Sequence, residues 1–201
     1  VVHKNGGVFI ADEVQPGFAR TGQAFFGFAR HGIVPDMITM GKPMGNGIPI
    51  SGLAAKEDVL AAFSDKLPYF NTFGGNPVSI AAAQAVLKYI KDENLQEHCK
   101  KAGGALLKAL KEVQERHPES VGDVRGAGLF LGFEFVKNDG NKTPDKDMAL
   151  NVIEMLRDEH ILTSVIGHYG NILKLRPPMV FSENDIDWFA TCLLYTSPSP
   201  R

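Results

Sequence analysis

A short apolar run, Gly7-Val8-Phe9-Ile10-Ala11, ends abruptly in two acids, Asp12-Glu13. Apolar residues at both odd and even positions leave neither side of a pleated strand suited to water. The run over 7–11 therefore reads as a strand in the middle of a parallel sheet. Parallel strands need long crossovers and covering helices. The pattern downstream supplies them. Residues 36–40 and 50–55 read as further strands and residues 57–63 as a short helix. Asn76-Pro77 has the chemistry of a helix start, because Asn caps and Pro fits the first turn. Helices are expected over 78–91 and 95–116, the second interrupted by a weak spot at Gly103-Gly104. The stretch 16–32, rich in glycine and aromatics, reads as a surface loop with a short helix.

Beyond residue 120 the order of elements changes. Val124 and residues 129–136 read as strand, 145–159 as helix, and 161–165 and 171–175 as strands. Ser182-Glu183-Asn184-Asp185 opens a last helix, with Ser182 and Asp185 spaced for a capping-box variant. The class is α/β followed by an α+β segment.

Composition narrows the function. With 44% hydrophobic and 22% charged residues, the 201-residue chain can build a core, which argues against general disorder. The net charge of -2 gives no basic field for nucleic acid. No apolar run approaches the roughly 18 residues that span a bilayer. Two cysteines, Cys99 and Cys192, make no disulfide scaffold and suit a reducing, cytoplasmic compartment. The histidines at 3, 31, 98, 117, 160 and 168 lack metal-ligand spacing, so no metal is expected.

Three groups remain that could carry chemistry. Asp12-Glu13-Val14-Gln15 follows the first strand, Lys42 sits among Gly41, Gly45 and Gly47, and Asn71-Thr72-Phe73-Gly74-Gly75 precedes Asn76-Pro77. In open α/β sheets, sites form at the carboxyl ends of strands, where Asp12 and Lys42 fall. Singly, each has a plain reading as a turn acid, a solvated lysine and a turn hydroxyl. Gly41-Lys42 is no nucleotide phosphate loop, since the upstream glycine and the following Ser or Thr are missing.

Together they resemble the class III (omega-type) aminotransferases. The resemblance rests on Phe9-Ile10-Ala11-Asp12-Glu13-Val14-Gln15, Gly17-Phe18, Arg20-Thr21-Gly22, Pro35-Asp36 and Gly41-Lys42. Asn71-Thr72-Phe73-Gly74-Gly75-Asn76-Pro77, Gly126-Ala127-Gly128-Leu129 and Leu175-Arg176-Pro177-Pro178 extend it, in order, to about residue 190. It implies fold type I and the cofactor pyridoxal 5'-phosphate (PLP). By that resemblance Asp12 pairs with the pyridine nitrogen, and Lys42 forms the resting Schiff base and then shuttles a proton. Gln15 bonds the ring oxygen and Val14 packs on one ring face. Thr72 binds the cofactor phosphate of a neighbouring subunit, which implies a homodimer with shared active sites. Arg176 holds the substrate carboxylate, for which a guanidinium fork is suited. Arg20, Arg125 and Glu13 are read as structural, and His168-Tyr169-Gly170 as a possible lining of the substrate pocket. The chain departs from the family at Pro16 and Ala19, where Thr and Gly are commoner, and at Pro43-Met44.

The branch resembled is that of alanine–glyoxylate aminotransferases and the PLP-dependent phospho-lyases. The runs carrying it are Val121-Gly122-Asp123-Val124-Arg125-Gly126 and the segment from Asn171 to Met179. The preferred expectation is a transaminase that moves an amino group from an amino acid or amine to a 2-oxo acid. The alternatives are a phospho-lyase acting on a phosphorylated amine or amino acid and, in another class, a non-catalytic doubly wound binding module. Residues 1–92 are expected to be the carboxyl half of the large PLP-binding domain and 93–191 a small carboxyl-terminal domain. Residues 192–201 resemble a translated sequencing adapter and are read as a scar. With Val1 opening almost at once onto a strand, the chain is read as a fragment, expected by itself to be inactive and to bind PLP poorly.

Overall fold

A computed structural model describes residues 1–196, apart from the side chains of Ala62 and Thr196. The chain forms two compact units that divide between Gln96 and Glu97. Each is described separately.

The first unit is built on a sheet of three strands, β1 (Ile10–Asp12), β2 (Met37–Met40) and β3 (Gly52–Ala55), in that order. β1 runs parallel to β2, pairing Ile10 with Met37 and Asp12 with Thr39. β3 is antiparallel to β2, pairing Met37 with Ala55 and Met40 with Gly52. The expected strand at 7–11 thus starts later, and it is not buried on both sides. Only Ala11 is buried, while Val8 and Ile10 stay 49% and 53% exposed. Among the described residues β1 is the outer strand of this sheet, and Ile10, like Val8 just before the strand, is exposed.

A buried acid holds these strands in register. Asp36 Oδ1 accepts from Lys56 Nζ at 2.7 Å, and Oδ2 accepts from the Phe9 amide at 2.8 Å and lies 2.7 Å from His3 Nε2. One carboxylate therefore ties the approach to β1, the start of β2 and the end of β3.

The 16–32 segment is not a surface loop. It contains a 3-10 turn, Gly27–His31, but Phe18, Ala19 and Thr21 are buried. Its organiser is Glu13, 2% exposed, whose two carboxylate oxygens accept the Gly27 and Phe28 amides at 2.7 and 2.8 Å. Two charge-assisted bonds compensate for burying the carboxylate. The rings of Phe18, Phe25, Phe26 and Phe28 then pack on one another. Ala19 is held at φ +65°, a left-handed conformation that favours glycine, which fits its place in the family pattern.

Helices α1 (Glu57–Ser64) and α2 (Pro77–Asp92) complete this unit. α2 starts as the sequence predicts: Asn76 Oδ1 accepts the Ser79 amide at 3.0 Å and Pro77 occupies the first turn.

The second unit is an antiparallel sheet covered on one face by helices. Its strands are β4 (Val121–Ala127), β5 (Phe130–Phe135), β6 (Val165–Ile166) and β7 (Ile172–Leu175), in the order β4-β5-β7-β6. Its helices are α3 (Leu95–Arg116), α4 (Lys146–Asp158) and α5 (Glu183–Thr196). Burial alternates along β5 and β7, so Leu131, Phe133, Phe135, Leu173 and Leu175 face the core. Leu106, Leu110, Leu156 and Leu193 meet them from the helices. The opposite face carries Phe130, Glu134, Ile172, Lys174 and Arg176, all half-buried.

Two expectations change here. The strand expected at 161–165 forms only as β6, Val165–Ile166, and before it Thr163 Oγ1 donates to the Lys174 carbonyl at 3.1 Å. Gly103 is not a weak spot but a close approach: a Cβ there would lie 2.2 Å from the Gly128 carbonyl, whereas Gly104 faces open space. Gly128, at φ +53°, turns the β4–β5 hairpin that α3 meets. Of the segment read as a scar, residues 192–196 lie in α5, with Cys192 and Leu193 in the core, and residues 197–201 lie outside the described residues. The capping box at α5 forms: the Asp185 amide donates to Ser182 Oγ at 3.2 Å and the Ser182 amide to Asp185 Oδ2 at 2.8 Å.

Candidate active site

The β1–β2 register brings two predicted residues to one end of the first sheet. Parallel pairing aligns the carboxyl ends of both strands, and the Glu13 amide extends the ladder to the Thr39 carbonyl at 2.9 Å. Asp12 ends β1. Its Oδ1 accepts the Val14 amide at 3.1 Å and lies 3.4 Å from Thr39 Oγ1. Lys42 follows β2 by one glycine and opens a 3-10 turn, Lys42–Met44, closed by the Met44 amide on the Gly41 carbonyl at 2.7 Å.

Val14 and Gly41 lie side by side. A Cβ on Gly41 would stand 3.6 Å from Val14 Cγ1. The chain therefore presents an apolar wall beside the residue that precedes Lys42. Asp12, Gln15 and Lys42 are exposed and Val14 is half-buried. A carboxylate, an amide, an amine and an apolar wall thus lie at one end of the sheet, a set able to meet a planar ring with a protonated nitrogen and an aldehyde.

Thr72 lies in the turn before α2. Asn71 Oδ1 shapes that turn by accepting the Phe73 and Gly74 amides at 3.1 and 3.0 Å. Thr72 is exposed, and so are its neighbours Tyr69, Phe70 and Phe73, at 72%, 86% and 79%.

Arg176 belongs to the second unit, one residue beyond β7. Its Cζ lies 3.9 Å from the centroid of the Phe130 ring. It borders a cleft of about 570 Å³ that is also lined by His160, Leu162, Thr163, Lys174 and Trp188. His168 and Tyr169 lie outside this lining and meet edge to face in the exposed β6–β7 turn.

Arg125 is structural, as read, but across strands rather than in a loop. Its Nη1 bonds Glu134 Oε2 and Asp123 Oδ2, each at 2.6 Å. The Glu134 bond, then the Asp123 bond, raises its pKa further. Two residues escaped the sequence reading: Thr39, whose hydroxyl reaches Asp12, and Phe130, beneath Arg176. The strand register would have found Thr39, since Asp12 must pair with some β2 residue. Phe130 directly follows the quoted Gly126-Ala127-Gly128-Leu129 motif.

Among the described residues no cluster of His, Cys, Asp and Glu could hold a metal ion, and no helix is long and apolar enough to cross a membrane.

Residues 1–195 match the aminotransferase class-III family. The chain is 45% identical over 188 residues to an ethanolamine-phosphate phospho-lyase homolog of Caenorhabditis elegans, covering 92% of this chain and 40% of that protein. It is 42% identical over 195 residues to a mitochondrial alanine–glyoxylate aminotransferase 2 homolog of Arabidopsis thaliana, covering 97% of this chain and 40% of that one. Among solved structures, a phospholyase from Arthrobacter in complex with phosphoethanolamine superposes with a TM-score of 0.94 at 39% identity, over 99% of this chain and 47% of that one. An aminotransferase of Bacillus anthracis superposes with a TM-score of 0.88 at 37% identity, over 97% of this chain and 45% of that one. The chain belongs to the class III aminotransferase family and has the α/β fold type I of PLP-dependent transferases. It spans about 40% of the length of these curated relatives.

Proposed function

We propose that the whole protein containing this chain is a PLP-dependent aminotransferase, carrying an amino group from an amino acid or amine to a 2-oxo acid. The observation that carries this reading is the parallel β1–β2 register, which sets Asp12 and Lys42 at neighbouring strand ends. PLP, when bound, supplies a ring that accepts the negative charge developing on the substrate carbon beside the amine. Asp12 holds a proton at the ring nitrogen, as a carboxylate at that atom favours the protonated form. Lys42 Nζ would hold the cofactor through its aldehyde carbon, and its amine, when free, would be the group placed to take up the proton of the substrate carbon. Val14 and Gln15 orient the ring, one by apolar contact and one by a hydrogen bond. Arg176 binds the substrate carboxylate through its guanidinium fork.

The exposed turn carrying Thr72 supports a homodimer in which Thr72 binds the cofactor phosphate of the other subunit. Three large apolar or aromatic side chains exposed beside it suit a surface that a second copy covers. Two free cysteines suit a cytoplasmic setting. Two relatives are described as mitochondrial, so imaging of the tagged whole protein is the test.

A second reading, phospho-lyase, is supported by the C. elegans and Arthrobacter likenesses. It uses the same Asp12 and Lys42 and differs in releasing phosphate from the β-carbon. The test is one preparation of the whole PLP-loaded protein, given alanine with glyoxylate and, separately, phosphoethanolamine. Amino transfer without phosphate release supports the aminotransferase. Phosphate release without transfer replaces it with the lyase, and neither activity in a PLP-loaded dimer removes both.

A further inference from the structure

Phe130 and Arg176 face each other for a reason set by the ladder. Leu131 pairs with Leu175 across β5 and β7. One step outward on antiparallel strands, Phe130 stands opposite Arg176, on the same face of the sheet. Leu131 and Leu175 point the other way into the core, 2% and 5% exposed, so buried neighbours fix the backbone of both outer residues. The 3.9 Å from Arg176 Cζ to the ring centroid lies well within the ~6 Å reach of cation–π attraction.

An arginine side chain has many rotamers, and ordering it for one carboxylate costs entropy. An aromatic ring under the guanidinium face restricts those rotamers in advance. A carboxylate is bound edge-on, in the guanidinium plane, which leaves the face to the ring. A ring contact and a carboxylate contact are therefore compatible, and the first prepares the second.

We infer that Phe130 is a positioning residue that presents the Arg176 guanidinium to the substrate carboxylate and so sets a preference for donors bearing one. The inference rests on the reading of Arg176 as the carboxylate clamp. Phe130 acts through Arg176 alone. Its contribution applies to an α-amino acid and not to an amine without a carboxylate.

The test uses the whole PLP-loaded protein and two probes, alanine and phosphoethanolamine. Half-saturating concentrations are read from the cofactor absorbance change on mixing, and KM and kcat from turnover. Phe130→Met removes the ring at similar volume, Phe130→Tyr keeps it, and Arg176→Gln removes the clamp. The expected result is a roughly 3- to 10-fold rise in the alanine constant relative to the phosphoethanolamine constant for Phe130→Met, carried by KM rather than kcat. Phe130→Tyr restores the ratio. If Arg176→Gln shifts the ratio and Phe130→Met does not, the Phe130 inference is overturned and the clamp stands. If Arg176→Gln leaves the ratio unchanged, the clamp reading fails and takes the inference with it. Should Phe130→Met fail to fold, Phe130→Leu is read in its place against the same two outcomes.

Discussion

Asp12 Oδ1 lies 3.4 Å from the Thr39 hydroxyl across the β1–β2 ladder, and Thr39 lies on β2 three residues before Lys42. The acid and the amine of the proposed site are thus coupled through one cross-strand pair rather than through a loop. At that distance the bond is long, and its loss should be mild. Thr39→Val in the whole protein is expected to weaken PLP binding about fivefold, measured by spectral titration. Asp12→Asn should do far more, because it removes the charge that holds the ring nitrogen protonated.

Lys42 is exposed and makes no contribution to the core. Lys42→Ala is therefore expected to leave the melting temperature of the cofactor-free protein within about 2 °C of the parent's. The same substitution should lower kcat by at least about 10³-fold, since it removes both the covalent anchor and the proton carrier. Thermal melts and turnover on one preparation check both halves.

Gly103 and Gly104 are adjacent in α3 and should respond with opposite signs. Helix propensity alone would make either change to alanine favourable by about 1 kcal/mol. At Gly103 the new methyl would stand 2.2 Å from the Gly128 backbone, which cannot withdraw like a side-chain end. Overpacking of this kind costs about 1–3 kcal/mol or more. Gly103→Ala should therefore lower the urea midpoint and Gly104→Ala should raise it.

The Asp36 carboxyl is held well below the ordinary carboxylate range. The Lys56 bond contributes most, then the Phe9 amide and then His3. A group depressed in the folded state stabilises fully above its unfolded pKa, near 3.8, and loses that contribution as pH falls toward the folded value. The stability gap between parent and Asp36→Asn is expected to be constant above about pH 5 and to narrow below about pH 4. Melts across pH 2–7 would show it. A gap that widens in acid would contradict the assignment.

What the sequence made legible was local. α3 runs over Leu95–Arg116 as the spacing implies, and the Asn76 and Ser182 caps form where residue type placed them. Strand ends and family pattern together single out Asp12 and Lys42, which lie at neighbouring strand ends. Contacts distant in sequence are not legible in this way. Glu13 reads as structural, and it is, but nothing local names its partners, the Gly27 and Phe28 amides, which lie across a loop whose fold no periodicity reveals. Val8 and Ile10 read as buried because an apolar run carries no record of whether a layer covers it. Phe130 was passed over since its partner, Arg176, is brought to it by strand order alone.

The central claim is that Lys42 carries the cofactor. Incubating the whole protein with PLP, reducing with borohydride and locating the adduct by peptide mass tests it directly. The account predicts a single pyridoxyl-phosphate adduct on Lys42. A folded dimer with no adduct there would contradict it and leave Asp12 and Lys42 as turn residues of a binding module.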